Sequence, residues 1–156
     1  MMWWLSIAAA APAGPRLDTA LIEEVTGVKG VLDVQQGVFR LALPRADLPV
    51  SVAGAKLPAP LGRGAWVAFQ PVAEQTMLLG ELLLREDEVT PVLDAVLANG
   101  LEVTGLQQDL LWDTPRVVSM HIGGVADTGA LAGALRQVLA ALKTSAGRTP
   151  PRAAPP

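Results

Sequence analysis

The stretch that most constrains this chain is Leu101 to Val125, LEVTGLQQDLLWDTPRVVSMHIGGV, in which two runs of alternating residues flank a turn-forming segment. Side chains of a strand alternate between faces, so Val117, Ser119 and His121 share one side and Val118, Met120 and Ile122 the other. Asp, Thr and Pro between the runs are turn residues, which predicts a β-hairpin. A three-residue loop, Asp113 to Pro115, pairs Leu110 with Val118, Gln108 with Met120 and Leu106 with Ile122. It also sets Asp109 beside Ser119 and Gln107 opposite His121, gathering the polar groups on one face. The register rests on hydrophobic matching, since a slip of one residue would scatter them.

The hairpin needs a sheet and a covering layer. At 156 residues, half of them apolar, the chain is long enough for one domain with a buried core. A net charge of −3 with scattered Lys and Arg gives no reason to expect nucleic acid. Cysteine is absent, which excludes disulfides, thiolate nucleophiles and Cys-type zinc sites.

Residues 1–14 (MMWWLSIAAAAPAG) read as an export signal. The apolar run is shorter than the roughly 20 residues of a membrane span, and Ala11-Pro12-Ala13 gives an A-x-A pattern, although no Lys or Arg precedes it. A domain over 15–143 follows, and the Pro/Ala-rich residues 144–156 read as a disordered tail. Asp18 suits an N-cap, with Leu17 and Ile22 as a hydrophobic staple and Gly27 at the end of a first helix. Gly30 to Gln35 and Val38 to Leu43 read as strands, Val50 to Val52 as a short strand before a Gly/Pro-rich loop, and Trp66 to Phe69 as strand again, with Trp66 and Phe69 in the core. Thr76 to Leu84 is a nearly continuous apolar run, as in a central strand.

Inside that run stands Glu81. A buried bare carboxylate costs on the order of several kcal/mol, so Glu81 is paired, hydrogen-bonded, protonated or open to a cleft. A helix begins between Asp87 and Pro91, with Val89, Val92, Leu93, Val96 and Leu97 as its apolar stripe and Asn99-Gly100 as its end. The strands on either side of it form a parallel crossover unit. Asp127 or Thr128 caps a last helix whose core face is Leu131, Leu135, Val138, Leu139 and Leu142. The fold class is α+β, an antiparallel or mixed sheet with helices packed on one side. Arg45 and Asp47 fix a turn, and Glu86, Asp87 and Glu88 complement a helix N-terminus.

His121 is the single histidine, and the candidate catalytic residues are His121, Asp109 and Glu81. Gln107, Asp109, His121, Glu81 and Glu88 are the candidate binding residues, and His121 and Asp109 the candidate metal ligands. No G-x-S-x-G, P-loop or dinucleotide fingerprint is present, nor any pair of histidines at metal spacing.

The order LPRADLPVSVAGAKLPAPLGRGAWVAFQP (43–71), then LLGELLLREDEVTPVLDAVLANGLEVTGLQQDLLWDTPRVVSMHIGG (78–124), then an Asp-led helix, resembles the LppY/LpqO-like family of bacterial envelope proteins. That domain has no established function, and the resemblance spans Leu17 to Lys143. In the family, the segment held here by Gln107, Gln108 and Asp109 reads His-Asn-His. A further histidine is matched by His121, an acid in the apolar strand by Glu81, and an acid near the helix start by Glu88. The resemblance therefore implies a divalent-metal or acid/base site from which this chain lacks two of three imidazoles; Asp109 can ligate but favours harder metals.

These observations point to a degenerate member, a non-catalytic binding or accessory module of the cell envelope, periplasmic or secreted. Its partner is an unidentified protein or small ligand, with no transmembrane span, and any divalent metal is weakened by the missing histidines. The rival reading is a metal-dependent or acid/base, hydrolase-like enzyme using Glu81, Asp109 and His121. A purely structural envelope protein is the third.

Overall fold

The computed structural model describes residues 17–58 and 64–146, with side chains as far as Lys143. The segment read as an export signal lies outside these residues, as does the tail from 147 on. Helix α1, Thr19–Thr26, begins where Asp18 accepts the Leu21 N–H at 3.0 Å and ends at Gly27, whose φ of 71° is the left-handed C-cap conformation.

Strands β1 (Gly30–Asp33), β2 (Val38–Pro44), β5 (Gly64–Val72) and β6 (Gln75–Arg85) then run up and down in sequence. Between β2 and β5 lies a small excursion, β3 (Ser51–Val52) and β4 (Ala55–Lys56). The second of these was not expected in the Gly/Pro-rich loop. Helix α2, Glu86–Ala98, follows β6 directly and starts one residue before the expected window, so that Pro91 lies in its second turn. Strand β7 (Glu102–Gln107), the two-residue β8 (Asp113–Thr114) and β9 (Val117–Ala126) lead into α3, Thr128–Ala146. The helix thus carries the first three residues assigned to the tail.

The main sheet has the order β1-β2-β5-β6-β9-β7, and every neighbouring pair is antiparallel. The parallel crossover from β6 through α2 to β7 is therefore present but split. β6 and β7 run in the same direction, but β9 is inserted between them and bonds to both. The composition of the two hairpin strands explains the order. β9 is ten residues long and largely buried, whereas β7 (EVTGLQ) is mostly exposed, so the more apolar strand takes the interior position.

Alternation divides the sheet into two faces. Leu41, Val67, Phe69, Leu78, Leu82, Leu84, Met120 and Ile122 are buried and belong to one core with Ile22 of α1, Val92 and Val96 of α2, and Leu131, Leu135 and Val138 of α3. The opposite face carries Arg40, Trp66, Met77, Leu79, Glu81, Ser119, His121 and Val125. Leu79 and Val125 are 44% and 53% exposed there, so helices leave this part of the sheet uncovered. Phe69 is in the core as expected. Trp66 is not: it is half-buried on the open face with the Arg40 guanidinium 4.9 Å from its ring centroid.

The hairpin forms with a different register. Gly105 faces His121, Leu106 faces Met120 and Gln107 faces Ser119, two residues away from the pairing that hydrophobic matching favoured. The connection runs over residues 108–116 rather than three, because Asp113 and Thr114 pair with Val52 and Ser51. An even shift keeps each side chain on its face. A bulge between Val103 and Gly105 then changes parity, placing Val103 opposite buried Ile122 while Gly105 and Gln107 join the open face.

Candidate functional site

One cross-strand row of the open face runs Ala42, Trp66, Glu81, His121 and Gly105 over β2, β5, β6, β9 and β7. Glu81 and His121 are direct partners, and directly opposed residues bring their Cβ atoms within about 5.5 Å. The adjacent row holds Leu83, Ser119 and Gln107. The sheet therefore brings an acid, an imidazole, a hydroxyl and an amide together on four neighbouring positions.

Ser119 is the centre of the cluster. Its hydroxyl donates to Glu81 Oε1 at 3.0 Å and lies in close contact with Asp109 Oδ2. Gln107 Nε2 donates to the other Asp109 oxygen at 2.9 Å, which fixes the carboxylate just beyond the end of β7. A hydroxyl has one proton, so Ser119 can serve only one of the two carboxylates at a time. The other keeps acceptor capacity that water or a ligand must meet. Ser119 itself is 1% exposed, Glu81 and His121 are half-buried, and Asp109 and Gln107 face solvent.

The His121 imidazole forms no hydrogen bond among the described residues. Its ring lies over Gly105, where a Cβ would come 3.4 Å from Cδ2. The imidazole thus packs against the edge strand at ordinary van der Waals distance, a neighbour that the sequence alternation alone did not single out.

The loop beside the cluster is held by its own acid. Buried Asp113 accepts the Val117 N–H at 2.7 Å and the Gln108 side-chain amide at 3.3 Å. This fastens the 108–116 connection to the start of β9 and so sets where Asp109 stands.

The remaining sequence candidate, Glu88, belongs to another structure. It is fully buried at the third position of α2, where it accepts the Arg85 N–H at 2.8 Å and thereby caps the helix. Both its oxygens accept from Arg45, at 2.9 and 3.0 Å, and Arg45 also donates to Asp47 twice and to the Leu83 carbonyl at 2.6 Å. Burial works against the Arg45 charge, but its bonds to Asp47 and Glu88 outweigh that and raise its pKa. The same bond to Arg45 holds the Asp47 carboxyl below its ordinary range. Both oxygens of Glu88 are thus engaged by the scaffold, apart from the open-face row.

Four sequence candidates, Glu81, Gln107, Asp109 and His121, do share one face. Ser119, which joins them, was missed as a site residue. The signal available was its position two residues before His121 on the same strand face. Among the described residues no three of His, Cys, Asp and Glu lie close enough together to hold a metal ion.

Residues 20–141, from α1 into the last turns of α3, match the family described as Domain of Unknown Function (DUF1259). The chain belongs to that family. The match spans the whole DUF1259 body of sheet and helices, so the row of Trp66, Glu81 and His121 lies within the family domain. No curated protein and no solved structure matches the chain significantly. Among the described residues of this DUF1259 domain, no helix is long and apolar enough to cross a membrane.

Proposed function

We propose that this DUF1259 domain is a non-catalytic binding or accessory module of the bacterial cell envelope, an LppY/LpqO-like member that retains the scaffold and has lost most of the family's imidazoles. The ligand sits on the open sheet face and presents hydroxyl or amine groups to Glu81 and Asp109. The observation that carries this reading is the Ser119 hydroxyl set between two carboxylates with a single proton to offer. Such a site accepts hydrogen bonds and so selects donors. Leu79 and Val125 beside it supply exposed apolar surface for a ligand's body.

Two further facts support binding over catalysis. A general base is usually oriented by a hydrogen bond on its second nitrogen, which His121 lacks among the described residues. Ser119 is too enclosed to attack a substrate, and its oxygen lies against two negative groups that would oppose further negative charge on it. The meeting of Glu81 and Asp109 near His121 is what favours the second reading, a hydrolase-like enzyme that is metal-dependent or works by acid/base catalysis.

Metal content and thermal shift with Zn²⁺, Mn²⁺ and Ca²⁺ separate the two, measured on wild type beside His121→Ala. The binding reading expects no tightly held ion and the same response in both proteins. A stoichiometric ion that is lost with His121 would overturn it and direct attention to hydrolytic substrates.

A further inference from the structure

A concave site lies on a different part of the molecule, where the turn after α1 passes the free end of β2 and the last turns of α3. Its volume is about 670 Å³, within the roughly 300–1,000 Å³ of small-molecule sites. The walls are apolar: Val28, Leu43, Pro44, Leu139 and Leu142 line it. Leu43, Leu139 and Leu142 retain 8–9% exposure, core side chains with one side turned to the groove.

The charges around it are asymmetric. Arg45 and Asp47 also line the groove, but Arg45 is consumed by Asp47, Glu88 and the Leu83 carbonyl and has no donor to offer. Lys143, in the last turn of α3, has no ion partner among the described residues. Lys29 is 89% exposed and pairs with Glu23 at 2.6 Å, an exposed contact of the kind that contributes little and exchanges readily. The rim therefore offers one uncommitted cation and a second that can turn from its partner. Aliphatic walls with a positive rim fit a molecule with a hydrocarbon body and a single negative head.

We propose that this groove binds an aliphatic carboxylate, its chain against Leu43, Leu139 and Leu142 and its carboxylate at Lys143, with Lys29 as the second cation. The proposal is independent of the carboxylate cluster on the open sheet face. Titration calorimetry of the full chain with sodium decanoate, below its micelle concentration, tests it against decyltrimethylammonium, which has the same chain and the opposite charge.

The expected result is saturable one-site binding of decanoate and at least about tenfold weaker binding of the cation. Lys143→Gln should weaken decanoate roughly fivefold, as loss of one exposed charge contact of about 1 kcal/mol does. Methyl chemical shifts of Leu139 and Leu142 in wild type give a readout that needs no variant, and they should move with decanoate. No decanoate binding, equal binding of the two amphiphiles, or methyl shifts confined to other residues would each overturn the assignment.

Discussion

Replacing Arg45 by Met probes the buried ion network that joins the β2–β3 loop to the start of α2. Arg45 is 5% exposed and its donors go to Asp47, Glu88 and the Leu83 carbonyl. Methionine fills much of the same volume, so packing changes little. What is lost is the partner of a carboxylate with no solvent exposure at all. Breaking a buried pair from one side costs about 3–5 kcal/mol. Glu88 keeps the Arg85 N–H at 2.8 Å and the Arg85 guanidinium at 3.7 Å, which places the loss near the lower bound, about 3 kcal/mol.

At about 3–5 °C per kcal/mol for a domain of this size, Tm should fall by roughly 10–15 °C. Adding Glu88→Leu removes the stranded charge. The double variant should then regain most of the loss and retain a deficit of about 1 kcal/mol from the missing helix cap. Urea denaturation of the four proteins in the cycle measures the coupling. A loss below about 1 kcal/mol for Arg45→Met, or a double variant worse than either single, would refute the argument that Glu88 depends on Arg45.

Arg45 holds the Asp47 carboxyl below its unfolded value, so this group adds stability above about pH 3.9, which is lost as pH falls from there through the folded value; Asp47→Asn should flatten that part of an acid denaturation curve. At Gly80 an added Cβ would lie 2.7 Å from Val67 Cγ2 and 2.9 Å from the Trp66 carbonyl, so Gly80→Ala should destabilise by about 1–3 kcal/mol in urea. Gly133 in α3 has nothing within 4 Å of an added Cβ, and Gly133→Ala should instead stabilise by up to about 1 kcal/mol. Removing the α1 cap with Asp18→Ala should cost about 1 kcal/mol, read as a small drop in Tm.

Local signals in this chain were legible and long-range ones were not. α1 is written in Asp18 and Gly27, and the stripe of α2 in Val92 and Val96, because caps and helical periodicity act within a few residues. The central strand was likewise readable, and Glu81 stood out because an acid interrupts its apolar run. The register failed where a distant segment decided it: Ser51 and Val52 capture Thr114 and Asp113 some 60 positions later and lengthen the connection. The Glu88 partnership with Arg45 has the same character, whereas its capping bond to Arg85 is local. Trp66 was placed in the core although strand parity forbids it, since Val67 and Phe69 already take that side. The shared face of Glu81, Gln107 and His121 was legible even though the pairing was not, because an even register shift preserves faces.

The most direct test of the binding site is amide chemical-shift mapping of the ¹⁵N-labelled chain with glucosamine, a small probe rich in hydroxyl and amine donors, beside a Glu81→Gln variant. The site on the open face expects the shifts to cluster on Gln107, Ser119, Glu81 and His121 and to shrink strongly when Glu81 loses its charge. Shifts that fall elsewhere, or that persist unchanged in Glu81→Gln, would contradict a donor-selecting site between Glu81 and Asp109.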